Sequence, residues 1–304
     1  MPADVTLRHG VAYLQDIGKE QPKVLLFFNR TFIVFIVCFV MIQCRPVGQD
    51  RNTLMYLSRF GYLHPRLRAT QGNVPEDVLK GAVSEFQQFA GINVTGVLDS
   101  ETVHMMSLPR CGVRDTSKFD EGRKKRYVLE GSRFFVNTLS YRIFRYPRNM
   151  EHRVVQEQLA RALRMWSDAS NYTFIPKYTG KVHIGVRFER GSHDDSEPFD
   201  GPGGALAHAF FPKYEGDAHF DDEETWTFAS KRGVNLFQVA LHEFGHTLGL
   251  QHSNVKTAVM APFYRGYDPD YKLDQDDIDG IRAIQSAPRL SDLKMSNKTS
   301  QKQR

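Results

Sequence analysis

Four side chains in the run His242-Glu243-Phe244-Gly245-His246-Thr247-Leu248-Gly249-Leu250-Gln251-His252-Ser253 have the types and spacing to hold a metal and use it. His242 and His246 stand one helical turn apart, so both imidazoles leave one face with Cβ atoms roughly 5–6 Å apart. That separation suits two nitrogens on one Zn²⁺. Glu243 follows the first of them, where a carboxylate can sit beside a metal without binding it and accept a proton from water. Gly249 lets the chain leave the helix at positive φ, and the turn brings His252 back as a third nitrogen. Three protein ligands leave a fourth position open, the mark of a catalytic zinc site. The same residues could be polar positions on a core helix; five fixed positions in agreement, one of them a glycine, favour the metal.

The elements that must position these groups are legible around them. Leu236 to Gln251 has good helix formers and no proline, and reads as one helix. Upstream, Leu139 to Phe144 reads as a strand, and Asn149 as the cap of a helix whose Val155, Leu159, Ala162, Leu163 and Trp166 share one face. Tyr172 to Ile175 is a second strand, and Val182, Ile184, Val186 and Phe188 alternate as a half-buried third. Leu206 to Phe211 and Ala218 to Phe220 are further strands, and Leu273 to Gln285 is a closing helix opened by Asp274 to Asp277. Strands first and helices interleaved give an α+β domain over residues 127–288.

Two further groups in this domain could hold ions. Six of the 11 histidines fall between His193 and His252. Those outside the helix and its turn are His193, His208 and His219, and with Asp195 they make a closed set of three nitrogens and one carboxylate, with no place for water. Asp200-Gly201-Pro202-Gly203-Gly204-Ala205 can turn backbone carbonyls, those of Gly201, Gly203 and Ala205 among them, toward one point. With Asp200, Asp221 and Glu224 that makes an oxygen cage suited to Ca²⁺; a glycine-rich surface turn is the plainer alternative.

Ahead of the domain, residues 48–126 read as a helical unit and a linker. Thr53 to Phe60 is short and amphipathic. Asn73-Val74-Pro75-Glu76 opens a helix that turns Val78, Leu79, Val83, Phe86 and Phe89 inward, and Asp99 or Ser100 caps a third helix through Met106. Pro109-Arg110-Cys111-Gly112-Val113-Arg114-Asp115 follows. A thiolate is a good zinc ligand, glycine beside it allows close approach, and Arg110 and Asp115 could pin the loop's two ends. Arg123-Lys124-Lys125-Arg126 is an exposed basic run between that loop and the first strand.

The whole chain sets the outer bounds. It has 304 residues, 41% hydrophobic and 25% charged, which excludes a largely disordered chain and allows one or two domains. The formal net charge of +5 is partly due to one short run and one tail, and no nucleic-acid motif appears. Only 3 cysteines are present, so a disulfide framework is not expected and Cys111 needs another explanation. Thr31 to Ile42 is an uninterrupted apolar run within a leader over residues 1–47. Twelve residues of helix reach roughly 18 Å, short of a hydrocarbon core of about 30 Å. Three readings stand: the core of a signal peptide, a signal anchor if Val24 to Cys44 spans with Arg30 snorkelling, or a buried helix. Residues 289–304 form a polar, basic tail.

The pattern HExxHxxGxxH in these residues is identified as that of the metzincins, and Ser253 after the third histidine resembles the matrixin branch, the matrix metalloproteinases. Ala258-Val259-Met260-Ala261-Pro262 resembles the family's Met-turn, which implies Met260 beneath a three-histidine zinc. The Cys111 run resembles the cysteine switch, in which the thiolate fills the zinc's fourth position and keeps a zymogen latent; the family has proline where this chain has Arg114. The helical unit resembles the peptidoglycan-binding-like fold of matrixin propeptides, so a small all-α propeptide precedes a metzincin catalytic domain, a twisted mixed sheet with three helices. HDDSEPFDGPGGALAHAFFP resembles the family's structural zinc and calcium segment. A further family calcium is not expected, because His183 stands where the family has aspartate.

By the same resemblance, the strand around Ala207 holds substrate as an added strand, while Gln238, Pro262 and Tyr264 line the pocket for the side chain after the scissile bond. Arg123 to Arg126 resembles a furin-type site with a mature start at Tyr127. The resemblance implies a secreted, zinc-dependent endopeptidase of minimal, matrilysin-like form, with extracellular protein substrates, a furin-like processing protease and protein inhibitors as partners. It implies a monomer, no hemopexin-like domain, and membrane attachment only if the leader is an anchor. Asn93, Asn171 and Asn297 begin N-glycosylation triplets. The rival class is a catalytically silent relative that binds matrix or inhibitors; Glu243 and every ligand being present argues against it.

Overall fold

The computed structural model describes residues 51–69, 74–116, 118 and 132–287. The leader, Asn73, the basic run Arg123 to Arg126, the tail and Asn297, with the expectations attached to them, lie outside the described residues.

The front part is built on α1 (Arg51–Arg59), α2 (Glu76–Ala90) and α3 (Ser100–Ser107). Leu54, Leu57, Phe60, Tyr62, Leu63, Leu79, Val83 and Phe86 share one core. Val78, expected to point inward, is 38% exposed; it lies about 100° around the helix from Leu79, off the apolar stripe. α2 begins behind Pro75 without a side-chain cap, and Glu76 and Asp77 in its first turn complement the helix dipole instead. Asp99, one of the two caps expected for α3, accepts from the Thr102 backbone N–H. The amide of fully buried Gln87 donates to Thr95 Oγ1, Val97 O and Thr102 Oγ1 and accepts from Thr95 N and Gly96 N, which ties α2 to the turn before α3.

The second part is a six-stranded sheet between helices. In chain order the strands are β1 (Arg110–Cys111), β2 (Thr138–Ile143), β3 (Thr173–Pro176), β4 (Ile184–Glu189), β5 (Ala205–Ala209) and β6 (Ala218–Asp221), and in space β1-β5-β6-β4-β2-β3. Only β5 and β6 are antiparallel; every other pair runs parallel. β5 would be the sheet's edge were Arg110–Cys111 not laid along it. A two-stranded ribbon, β7 (Trp226–Thr227) and β8 (Val234–Asn235), leads into the histidine helix. β4 is more than half-buried: Gly185 and Glu189 are covered as well as Ile184, Val186 and Phe188, with Glu189 ion-paired to Arg145.

Three helices complete this part: α4 (His152–Ala169), α5 (Leu236–Thr247) and α6 (Gln275–Ser286). α4 buries Val155, Leu159, Ala162, Leu163 and Trp166 as its pattern requires. Asn149 is not its cap, because the helix starts three residues later and the Asn149 amide donates to Glu224 O at 3.0 Å. α5 is buried on every side, the mark of a central helix, and Trp166 Nε1 donates to Leu241 O at 2.8 Å to lock α4 on it. α5 stops at Thr247, short of Gln251, because Gly249 takes φ 108° and turns the chain away. A Cβ on Gly249 would sit 2.6 Å from Ser132 O, so a larger residue could not make this turn. α6 opens with a capping box between Asp274 and Asp277. Asp277 is buried and also accepts from Val259 N and Met260 N at 2.8 and 3.0 Å, so the closing helix holds the segment under α5.

Candidate metal centre

α5 carries His242 and His246, and the turn at Gly249 returns His252 to them. His242 Nδ1 donates to Val259 O at 2.6 Å and His246 Nδ1 to Leu250 O at 2.7 Å. Both Nε2 atoms are therefore lone pairs, yet they face each other at 3.1 Å. His252 Nδ1 donates to Asp115 Oδ1 at 2.7 Å, and its buried Nε2 has no partner. Cys111 Sγ lies 3.5 Å from His246 Nε2. One ligand atom from each of these four residues falls within 4.8 Å of the others. Converging acceptors without a proton between them repel, and a cation removes the repulsion; three imidazoles and one thiolate fit zinc. Burial holds the His242 imidazole down at about 3 and His246 well below its ordinary value, so both are in the neutral, ligand-ready form.

Glu243 is fully buried beside this group; no nitrogen or oxygen partner reaches its carboxyl, and its polar neighbour is the Cys111 thiol. Burial pushes its carboxyl up to about 8. Gly245 leaves room under the helix: a Cβ there would overlap Met260 Sδ, so Met260 packs directly against α5.

The second set also converges. Asp195 Oδ2 lies 3.0 Å from His193 Nε2, 3.0 Å from His208 Nε2 and 2.9 Å from His219 Nδ1. His193 Nδ1 is 2.8 Å from Gly191 O and must donate to it, so its Nε2 meets the carboxylate as a second acceptor. Burial lowers His219 to about 4. No open position is left, which fits a structural ion. At the glycine-rich turn, Glu224 Oε1 accepts from Gly203 N at 2.5 Å, and Asp221 is fully buried with Oδ2 unpartnered. Burial first, then Asp221 and Asp200, raise the Glu224 carboxyl to about 7. This is negative charge lacking a counter-ion, as a calcium cage would leave it. Asp200 stands partly apart: Oδ1 accepts from Ala205 N, and Oδ2 pairs with Arg59 at 3.5 Å.

The Cys111 run lies in the cleft as an added strand. Arg110 N donates to Gly204 O, Gly112 N to Ala207 O, Cys111 N to Pro262 O and Tyr264 N to Pro109 O, at 2.7 to 2.9 Å. Arg110 and Asp115 form a 2.5 Å ion pair with side chains 1% and 0% exposed. The Arg110 guanidinium lies 3.6 Å from the Phe60 ring centre and 4.9 Å from that of Phe263. A cavity of about 30 Å³ beside Cys111 is lined by Gln238, His242, Pro262 and Tyr264, and also by Arg265 and Tyr271, which sequence spacing gave no means of finding. The Gln238 amide on this wall is engaged by backbone: Nε2 donates to Gly266 O at 3.0 Å and Oε1 accepts from Asp268 N at 2.8 Å.

The chain is similar in sequence to known proteins. The family model described as "Matrixin" matches residues 133–286, and the "Putative peptidoglycan binding domain" model matches residues 55–106. The chain is 42% identical over 232 residues to the hatching enzyme of Paracentrotus lividus, covering 75% of this chain and 37% of that one. It is 39% identical over 266 residues to macrophage metalloelastase of Rattus norvegicus, covering 84% and 56%, and 42% identical over 256 residues to matrix metalloproteinase-25 of Homo sapiens, covering 79% and 46%. The chain thus spans about half the length of these curated relatives, or less.

Proposed function

The chain belongs to the matrixin family of peptidases, and on that premise we propose that it is a zinc-dependent endopeptidase, kept latent by its own Cys111 loop and acting on extracellular proteins. The family uses catalytic and structural zinc and calcium. One observation carries the reading: neutral imidazoles and a thiol converge beside a fully buried carboxyl that has no nitrogen or oxygen partner. His242, His246 and His252 would hold the catalytic ion, with Cys111 on it in the latent form, and His193, Asp195, His208 and His219 would hold the structural one. When bound, the catalytic ion supplies a Lewis acid for the scissile carbonyl and a lowered pKa for water. Glu243 takes the proton of the attacking water and passes it to the leaving amine nitrogen as the C–N bond breaks. Departure of the Cys111 loop opens Glu243 to water and so removes part of the cause that holds its carboxyl up.

The loop's departure also frees Gly204 O, Ala207 O, Pro262 O and Tyr264 N. An extended substrate can satisfy the same groups and lie as the added strand, with backbone bonds giving affinity and the Gln238–Tyr264 cavity choosing the side chain. Arg123 to Arg126 is the processing site for a furin-like protease, and the apolar leader directs export. No described helix is long and apolar enough to cross a membrane. The test is peptide cleavage by the processed protein before and after chelation, with zinc added back. Cleavage lost to chelator and restored by zinc supports the reading; peptide or inhibitor binding without cleavage would identify a silent relative.

Gln238 gives a prediction about specificity. Its amide pins the 266–268 backbone across the cavity, which keeps the cavity small. Gln238→Leu leaves two backbone groups without partners, at roughly 1–3 kcal/mol for each that stays buried. The variant is expected to melt lower and to gain about 10-fold in kcat/KM for long apolar side chains after the scissile bond. Melting curves and one peptide library, run on both proteins, decide; unchanged profiles mean the pinned segment does not limit the pocket.

Calcium gives a prediction about pH. Glu224 is raised from 4.5 to about 7 in the folded chain, so its contribution to stability is present below the unfolded value and lost as pH rises through 7. Calcium offsets that loss by supplying the counter-charge. Added calcium is therefore expected to raise the melting temperature more at pH 8 than at pH 6, with the difference removed by Glu224→Gln. An equal rise at both pH values would take Glu224 out of the calcium site.

A further inference from the structure

The three histidines of the catalytic set are not anchored alike. His242 Nδ1 is held by Val259 O and His246 Nδ1 by Leu250 O, both within the segment that carries the ligands. His252 Nδ1 is held by Asp115 Oδ1 at 2.7 Å, and Asp115 belongs to the inhibitory loop, on the far side of the basic run. Both side chains are 0% exposed. The carboxylate is fixed before it meets the imidazole: Arg110 donates to Oδ1 at 2.5 Å and Tyr62 OH to Oδ2 at 2.7 Å. Arg110 is fixed in turn by Tyr56 OH at 2.9 Å.

We propose that Asp115 is a positioning residue for His252, so that the inhibitory loop grips the catalytic ion twice, through the Cys111 thiolate and through the far nitrogen of a histidine. This rests on the reading that the three histidines hold zinc. A proton fixed on Nδ1 leaves Nε2 as the lone pair, and a carboxylate on the far nitrogen makes that lone pair a stronger donor than a carbonyl does. Processing removes the loop, and with it the only one of the three anchors that is a carboxylate. The latent chain therefore binds its zinc more tightly than the processed enzyme even without the thiolate. Maturation loosens the ion as well as uncovering it.

The experiment uses the full chain with Arg123 to Arg126 made uncleavable and with Cys111→Ser, so that the thiolate plays no part. Elemental analysis comes first: a chain that binds no zinc through His242, His246 and His252 would refute the underlying reading, not this one. Zinc affinity is then measured at equilibrium against a competing chelator, so that the rate of access to the ion does not set the result. It is measured for this chain, for the same chain with Asp115→Asn, and for the processed wild-type enzyme. The expected result is affinity about 10–100-fold weaker in the second and third, with the His193–His208–His219 site unchanged. A readout that a merely structural role would not move is the His252 Nδ1–H resonance. It should lie far downfield in the latent chain and shift on Asp115→Asn, while those of His242 and His246 stay. Equal affinities overturn the proposal. So does weaker binding in the processed enzyme alone, which would assign the loss to the cover and not to Asp115. If the Asp115 variant does not fold, two measurements on the other two proteins decide: equal zinc affinity overturns the proposal, and so does a His252 Nδ1–H resonance that does not move on processing.

Discussion

Glu243→Ala is expected to keep its zinc and to lose peptide cleavage by roughly 10²–10⁴-fold, the usual worth of a positioned general base. The carboxylate sits within the turn that carries two ligands but contributes no atom to the converging set. Both its oxygens are buried without a nitrogen or oxygen partner in the latent chain, an arrangement that costs folding free energy. Removing the group should therefore leave the latent fold at least as stable as before. The measurement has three parts on one preparation: zinc content, melting temperature, and kcat/KM after processing. Near-wild-type turnover by a zinc-loaded variant would exclude Glu243 as the base. A loss of zinc together with activity would make it a ligand-positioning group. Glu243→Gln, which keeps the shape and removes the base, should fall as far as alanine.

The histidine helix was legible because its chemistry is local: a four-residue spacing and one glycine place three nitrogens without help from the rest of the chain. The His193, Asp195, His208 and His219 set was read from its residue types and the resemblance of its run; the antiparallel register that sets His208 opposite His219 is a tertiary fact the sequence does not carry. What sequence could not give depends on long separations. The Asp115–His252 bond joins residues 137 apart, and no pattern on either side announces it. Gln238 does line the cavity, but its amide is taken up by a loop 28 to 30 residues away, a pairing that no local pattern announces. Asn149 fits every local rule for a cap and is drawn off by Glu224 O, a tertiary partner that competes successfully with the helix terminus. The same limit hides Arg265 and Tyr271, which reach the cavity through a loop with no regular period.

With Arg123 to Arg126 made uncleavable, Cys111→Ser should give activity without processing, because serine is a poor zinc ligand at neutral pH. The thiol is only part of the hold on the latent state. Four backbone hydrogen bonds keep the strand in the cleft, each worth about 0.5–1.5 kcal/mol net. Arg110 adds a fully buried ion pair, and removing one partner of such a pair costs about 3–5 kcal/mol because the other charge is stranded. Asp115 feels this directly: burial alone would raise its carboxyl, but Arg110 and His252 together hold it down at about 2. Arg110→Ala should therefore shift the loop's closed–open balance by roughly 10²–10⁴-fold, the equivalent of that cost, with the thiol untouched. The Cys111→Ser, Arg110→Ala double variant should be the most active of the three on a fluorogenic peptide, and its inhibitory loop the most readily cut by an added protease. If Cys111→Ser is silent while Arg110→Ala is active, latency is steric and the thiolate contributes little. If both are silent, the backbone strand alone fills the cleft, and only cleavage of the linker can empty it.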